Sequence, residues 1–176
     1  DLWGVSAVDR DGNESACTSV TASGSPDMYE YSFTSDFSAS QGNRGWSYAE
    51  ESYGMKTASS WNEAGKYWTA SGGGLLKKDS IVVGVNDTVI EWKAPRAGYV
   101  RVYGQIAKYR SSLGGNGVSL TLLHNQQSIY SGDLGGNNYE GLAYNKALWV
   151  DAGSVIRINV SANGNAVSDK LHFSAN

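Results

Sequence analysis

Residues 88–106 read TVIEWKAPRAGYVRVYGQI, and their alternation decides the fold. Ile90, Trp92 and Ala94 fall on one side of an extended segment, and Val100, Val102 and Ile106 on one side of a second. Between the two rows lies Lys93-Ala94-Pro95-Arg96-Ala97-Gly98. Period-two patterning interrupted by Pro and Gly predicts an antiparallel hairpin. Its other side carries Glu91, Lys93, Tyr99, Arg101 and Tyr103, a row of charges and rings facing solvent.

The same alternation recurs on both sides of this stretch. Val118, Leu120 and Leu122 form one inward row, and Ile156, Ile158 and Val160 another. Leu142 to Val150, a turn at Asp151-Ala152-Gly153, and Val155 to Ser161 read as a second hairpin, with Arg157 and Asn159 facing out. Tyr29, Tyr31 and Phe33 alternate with polar residues as an edge strand, and a last strand runs near Lys170 to Ser174. Apolar spacing of three and four is nowhere sustained, so no helix is expected. Composition agrees: 22 Gly against two Pro, with 11% aromatic and 18% charged residues, fits short strands joined by Gly/Asn/Ser turns. Roughly nine to eleven such strands predict an all-β fold, an antiparallel two-sheet β-sandwich that is jelly-roll-like.

A chain of 176 residues can bury a sizeable core as one domain. A formal charge of −3 gives no general electrostatic case for nucleic acid or an anionic membrane as partner. The single Cys17 and two distant histidines, His124 and His172, supply neither a disulfide nor a zinc centre. No run of about 18 apolar residues is present. With no start methionine and no signal-like segment at Asp1, the chain is expected to be a segment of something longer.

Two resemblances organise the rest. Leu2 to Val20, with Ala7-Val8-Asp9 followed by Asp11-Gly12-Asn13-Glu14-Ser15, resembles the last hairpin of a fibronectin type III domain. Residues 1–26 are therefore expected to be a remnant of such a domain plus the linker TASGSP, and residues 27–176 a separate β-sandwich module. Over residues 29–174 the chain resembles the carbohydrate-binding modules appended to secreted bacterial polysaccharide-degrading enzymes. The resemblance rests on Phe37-Ser38, Gln41-Gly42 and Trp46-Ser47-Tyr48, on Asp87 to Gly98, and on Val150 to Ile156. Ser154 stands where those modules often have Asp. The resemblance implies a non-catalytic polysaccharide-binding module, secreted by a bacterium and joined in cis to the domains of a glycoside hydrolase or polysaccharide lyase. A structural spacer without glycan affinity and a small polysaccharide lyase are the alternatives.

A glycan site needs flat rings for sugar C–H faces and amides, guanidinium groups or carboxylates for the hydroxyl rim. Of the six Trp and eleven Tyr, Trp92 sits on an inward row and is expected in the core, as are Trp46 and Tyr48. Tyr53, Trp61, Tyr67 and Trp68 lie in a long Gly-punctuated region and form one candidate cluster. Tyr99, Arg101 and Tyr103 form a second, expected to line a groove with Arg157 and Asn159; the opposing reading is a cross-strand ladder of mutually covering side chains. Tyr109 with Arg110, and Tyr139 beside Asn137, Asn138 and Glu140, occupy polar loops. Lys108, Arg101, Arg110 and Arg157 together make an acidic polysaccharide the expected partner. No cofactor is required. Asp27, Glu30 and Asp169 resemble positions at which such sandwiches hold a structural calcium.

Overall fold

The computed structural model describes residues 3–5, 18–20, 29–165 and 169–176. The chain divides into two compact units, Asp1–Glu30 and Tyr31–Asn176. In the first, β1 (Trp3–Val5) pairs antiparallel with β2 (Thr18–Val20). The turn that carries the fibronectin resemblance, Cys17 and Asp27 lie outside the described residues.

The second unit begins with a departure from the expected edge strand. Ser32 caps a single helical turn, α1 (Phe33–Asp36), its hydroxyl accepting from the Ser35 N–H and its carbonyl from the Asp36 N–H at 2.8 Å. A capping serine competes with strand pairing by satisfying helical N–H groups locally. The turn drives the fully buried Phe33 into the core, edge-on to Trp46, Tyr48 and Phe173 at ring separations of 5.6, 6.1 and 4.9 Å.

Thirteen strands follow as two antiparallel sheets. Six of them, β3 (Trp46–Ser52), β4 (Met55–Ala58), β9 (Asp87–Lys93), β11 (Val118–His124), β12 (Gln127–Leu134) and β14 (Val155–Ala162), form one sheet in the order β12-β11-β14-β9-β3-β4. The other seven are β5 (Ser60–Asn62), β6 (Tyr67–Thr69), β7 (Leu75–Lys77), β8 (Ser80–Val82), β10 (Gly98–Lys108), β13 (Leu142–Val150) and β15 (Lys170–Ala175), ordered β13-β10-β15-β8-β7-β6-β5. The fold is the antiparallel β-sandwich that the alternation predicts. Its core is the set of inward rows, including Ile90, Trp92, Val102, Ile106, Leu120, Leu122, Ile156, Ile158 and Val160. Each such aliphatic side chain contributes roughly 1.5–3 kcal/mol on burial.

Neither predicted hairpin is a hairpin. β9 pairs with β3 and β14, whereas β10 pairs with β13 and β15, so Ala94 to Ala97 carries the chain from one sheet to the other. Asp151 to Ser154 does the same between β13 and β14. The two corners stack: the Gly153 N–H donates to the Ala94 carbonyl and the Ala94 N–H to the Ser154 carbonyl, both at 2.8 Å. The reason is burial. Ile90 and Trp92 face Val102 and Ile106 across one core, and two apolar rows meet that way only if their strands lie in opposing sheets.

One buried carboxylate fastens the edge of this architecture. Glu50, 4% exposed on β3, accepts from the Ser71 and Gly72 N–H groups (3.0 and 2.9 Å), from Asn86 Nδ2 (2.9 Å) and from the Ser71 hydroxyl. Desolvation pushes its pKa up, but the donors from Ser71, Asn86 and Gly72 outweigh it and hold the carboxyl below its ordinary value. A depressed carboxylate stabilises the fold above its unfolded pKa, near 4.3, and loses that contribution as pH falls through the folded value. Glu50→Gln should cost about 1.5–3 kcal/mol at pH 7, because its NH2 meets donors. In urea denaturation the difference between variant and parent should shrink steadily from pH 5 to pH 3.

Candidate functional site

The sheet assignment separates the residues expected to share a groove. Arg157 and Asn159 lie on β14, opposite Glu91 and Val89 of β9, while Tyr99, Arg101 and Tyr103 lie on β10 in the other sheet. Arg157 is also fully engaged, its Nε 2.9 Å from Glu91 and its Nη1 2.7 Å from Glu51. Lys56 adds a second contact to Glu91 at 2.6 Å. Around Arg157 the described residues form a network of paired charges in which its Nε and Nη1 are both engaged.

The outer row of β10 is different. Antiparallel register sets Tyr99 opposite Trp149, Arg101 opposite Ala147 and Tyr103 opposite Asn145 on the edge strand β13. Tyr99 is 83% exposed and Trp149 51%. Their rings meet at 5.2 Å and 80°, forming a corner open to solvent, and the Trp149 indole N–H is turned aside to Asp151. Beyond the corner, Arg101 Nε donates to Asn145 Oδ1 at 2.9 Å, and the guanidinium lies 5.2 Å from the centre of the Tyr103 ring. Gly104 makes the close strand approach here: a Cβ would collide with the Ser174 carbonyl and the Tyr144 hydroxyl, which hydrogen-bond across it at 3.0 Å.

The same surface continues to the far end of β10. The Tyr109 ring stacks on His172 of β15 at 3.5 Å and 19°, with the Lys170 ammonium 4.4 Å from its centre. Arg110 lies 4.1 Å over the half-exposed Tyr139. Tyr109 and His172 meet face to face, with no hydrogen bond joining phenol to imidazole among the described residues.

The other candidates are placed differently. Trp68 is 4% exposed and belongs to the core; its indole donates to the Ser38 carbonyl at 2.9 Å and its ring packs on Tyr48. Trp61 is half-buried against Phe37 and Trp68, with its N–H on Glu63. The long region between β4 and β8 is a run of short strands that puts Trp68 in the core and sets Trp61 at its margin. Tyr53 is fully exposed at the tip of the β3–β4 hairpin, in the six-stranded sheet and away from β10. Its φ of 49°, followed by Gly54 at 77°, is the paired left-handed turn that favours Asn-Gly. Tyr53→Asn should therefore raise stability by about 0.5–1 kcal/mol in chemical denaturation.

The cation expectation needs correction at one position. Lys108 is the last residue of β10 and points inward, its ammonium 2.6 Å from the Asp169 carboxylate with both side chains fully buried. The ammonium supplies the counter-charge to the buried Asp169, and Asp27, the first residue of the expected calcium set, lies outside the described residues. Glu30 is exposed, and the described residues contain no group of three or more His, Cys, Asp or Glu arranged to hold a metal.

Sequence reasoning passed over Trp149 and Asn145. Their signal lay in parity: both alternate with the inward Tyr144, Leu148 and Val150, and the register with β10 brings them beside Tyr99 and Tyr103.

No family model matches the chain, and no curated protein matches it. Among solved structures the chain is similar to a CBM51 module from Clostridium perfringens GH95, solved with methyl-galactose: 10% identity, 74% of this chain and 79% of that one, TM-score 0.39. It is similar to a family 35 carbohydrate-binding module from an environmental isolate, at 17% identity over 75% and 85% of the chains, TM-score 0.36. Rabbit GITRL is a third, at 19% identity over 49% and 69%, TM-score 0.36. At these identities and scores the likeness assigns no ligand or activity, which rest on the chain's own residues. No helix among the described residues is long and apolar enough to cross a membrane.

Proposed function

We propose that the chain is a non-catalytic glycan-binding module and that its site is the outer surface of β10 and β13. The observation that carries this reading is the exposed Tyr99–Trp149 corner set beside the Arg101–Asn145 pair. Large rings left in water on a rigid sheet are unfavourable unless something covers them, and a polar rim marks such a patch as a binding surface. Here the rings offer apolar faces for sugar C–H groups, while guanidinium and amide offer paired donors and acceptors for hydroxyls. Strands hold both in place, so little conformational entropy is lost on binding.

In its fuller form the proposal places the module in a secreted bacterial glycoside hydrolase or polysaccharide lyase. There it would keep the catalytic domains on the polysaccharide by raising effective concentration. Affinity electrophoresis against a panel of plant, algal and microbial polysaccharides tests the reading. Retarded mobility in at least one gel, abolished in Tyr99→Ala/Trp149→Ala, is expected; unchanged mobility in every gel would leave the spacer reading in its place.

A further inference from the structure

Charge is divided between the two sheets. The strands of the six-stranded sheet contain Glu50, Glu51, Asp87, Glu91 and Asp133 beside Lys56, Lys93 and Arg157. Those of the seven-stranded sheet contain no Asp or Glu at all, yet carry Lys77, Arg101, Lys108, Lys146 and Lys170. In a chain of formal charge −3 this is a local reversal of sign.

How the cations are held sharpens the contrast. Lys108 is neutralised by Asp169. Three of the other four lie over a tyrosine ring of their own sheet's outer side: Lys77 on Tyr67 at 5.5 Å, Arg101 on Tyr103 at 5.2 Å and Lys170 on Tyr109 at 4.4 Å; Lys146, opposite the inward Val102, reaches instead to Tyr130 of the six-stranded sheet at 5.4 Å and takes no part in that surface. Arg110 on Tyr139, next to the end of β10, repeats the device. Among the described residues none of the five forms an ion pair. A ring face attracts a cation and positions it without cancelling its charge. The nearby carboxylates lie outside the strands: Asp151 on the Trp149 indole at the corner, Glu63 on the Trp61 indole, and Asp79 and Glu140 in turns and bends.

From this arrangement we infer that the outer surface of the seven-stranded sheet takes a polyanionic polysaccharide, one bearing carboxylate or sulfate groups, as an extended chain lying along β10. The inference rests on the glycan reading of that surface and specifies its ligand. The Tyr99–Trp149 corner stacks sugar at one end. Arg101 lies within the stripe, and Lys170 and Arg110, at the opposite end, face the anionic substituents. Residues 99–109 of an extended strand span about 33 Å, long enough for several sugar units. An internal stretch of chain is therefore favoured over a chain end, since the described residues along the stripe lie on an open sheet surface.

Isothermal titration calorimetry with polygalacturonate, dextran sulfate, neutral galactan and dextran, at 50 and 500 mM NaCl, tests this. Expected is binding to one or both anionic polymers, weakened by salt, and at least about tenfold weaker binding to both neutral ones. Preference between the first two identifies carboxylate or sulfate as the group read. Arg101→Gln and Lys170→Gln should each cost about two- to fivefold, and with Lys77→Gln the triple variant about tenfold or more, while Lys56→Gln on the other sheet changes nothing. Salt-insensitive binding to the neutral polymers at equal or greater strength would overturn the inference and leave the glycan reading standing. So would tighter binding of single-stranded oligothymidine, or a dimer in solution that Trp149→Ala dissociates. Failure of all four polymers would overturn the inference, and only unchanged mobility across the whole electrophoresis panel would overturn the glycan reading with it.

Discussion

Lys108→Met should destabilise the sandwich by about 3–5 kcal/mol, the cost of leaving a buried carboxylate without its counter-charge. The ammonium and the Asp169 carboxylate meet at 2.6 Å with no exposed side-chain surface. The pair ties the end of β10 to the start of β15 where the two strands pair, Lys108 opposite Leu171. Asp169 also anchors β8 through its carbonyl, which accepts from the Val83 N–H at 3.1 Å. Its second carboxylate oxygen has no hydrogen-bond partner among the described residues, so Lys108 provides the compensation for its burial. Removing both charges is a different experiment. Lys108→Met/Asp169→Leu should recover most of the loss, because two apolar groups of similar volume avoid the desolvation penalty altogether. Urea denaturation of parent, single and double variants measures this. A single-variant loss below about 1 kcal/mol would show that water reaches the pair.

The second large effect concerns binding. Tyr99→Ala/Trp149→Ala should weaken the best polysaccharide ligand by roughly 30-fold or more, equivalent to about 2 kcal/mol, the magnitude at which buried aromatic anchors dominate interfaces. The rings touch at 5.2 Å and so share one ligand surface. The single variants should not add: losing either ring opens the corner and takes part of the other's contribution with it. Both side chains are exposed, Tyr99 at 83% and Trp149 at 51%, so stability should stay within about 0.5 kcal/mol of the parent. An equal loss of stability and affinity would mean that the rings serve mainly as a cross-strand ladder.

The alternation of residues 88–106 revealed which side chains face inward but not which sheet they belong to. Ile90 and Trp92 would show the same period whether the next strand lay beside them or across the core. What decides it is long-range pairing: β9 finds β3 and β14, and β10 finds β13 and β15. That information is spread over more than a hundred residues. The misplacement had functional consequences, since it put Arg157 beside Arg101 although they belong to different sheets. Lys108 counts among the cations available to a ligand because its partner Asp169 is distant in sequence, and a lysine at a strand end is ordinarily solvated. Phe33 was read as strand because the cap at Ser32 is a local signal that three alternating aromatics obscured. By contrast, the Tyr99-Arg101-Tyr103 row was fully legible, since outward parity on a long strand does not depend on which sheet the strand joins.

The most direct test of the proposed surface is a heteronuclear NMR titration of the isotope-labelled protein with an oligomer of the best-binding polysaccharide. Perturbed amides should trace one side of the molecule: Tyr99 to Tyr109, Ala143 to Trp149, and Lys170 to Ser174, with β3, β9 and β14 unmoved. Perturbations confined to Tyr53 and its hairpin, or to β9 and β14, would contradict the account.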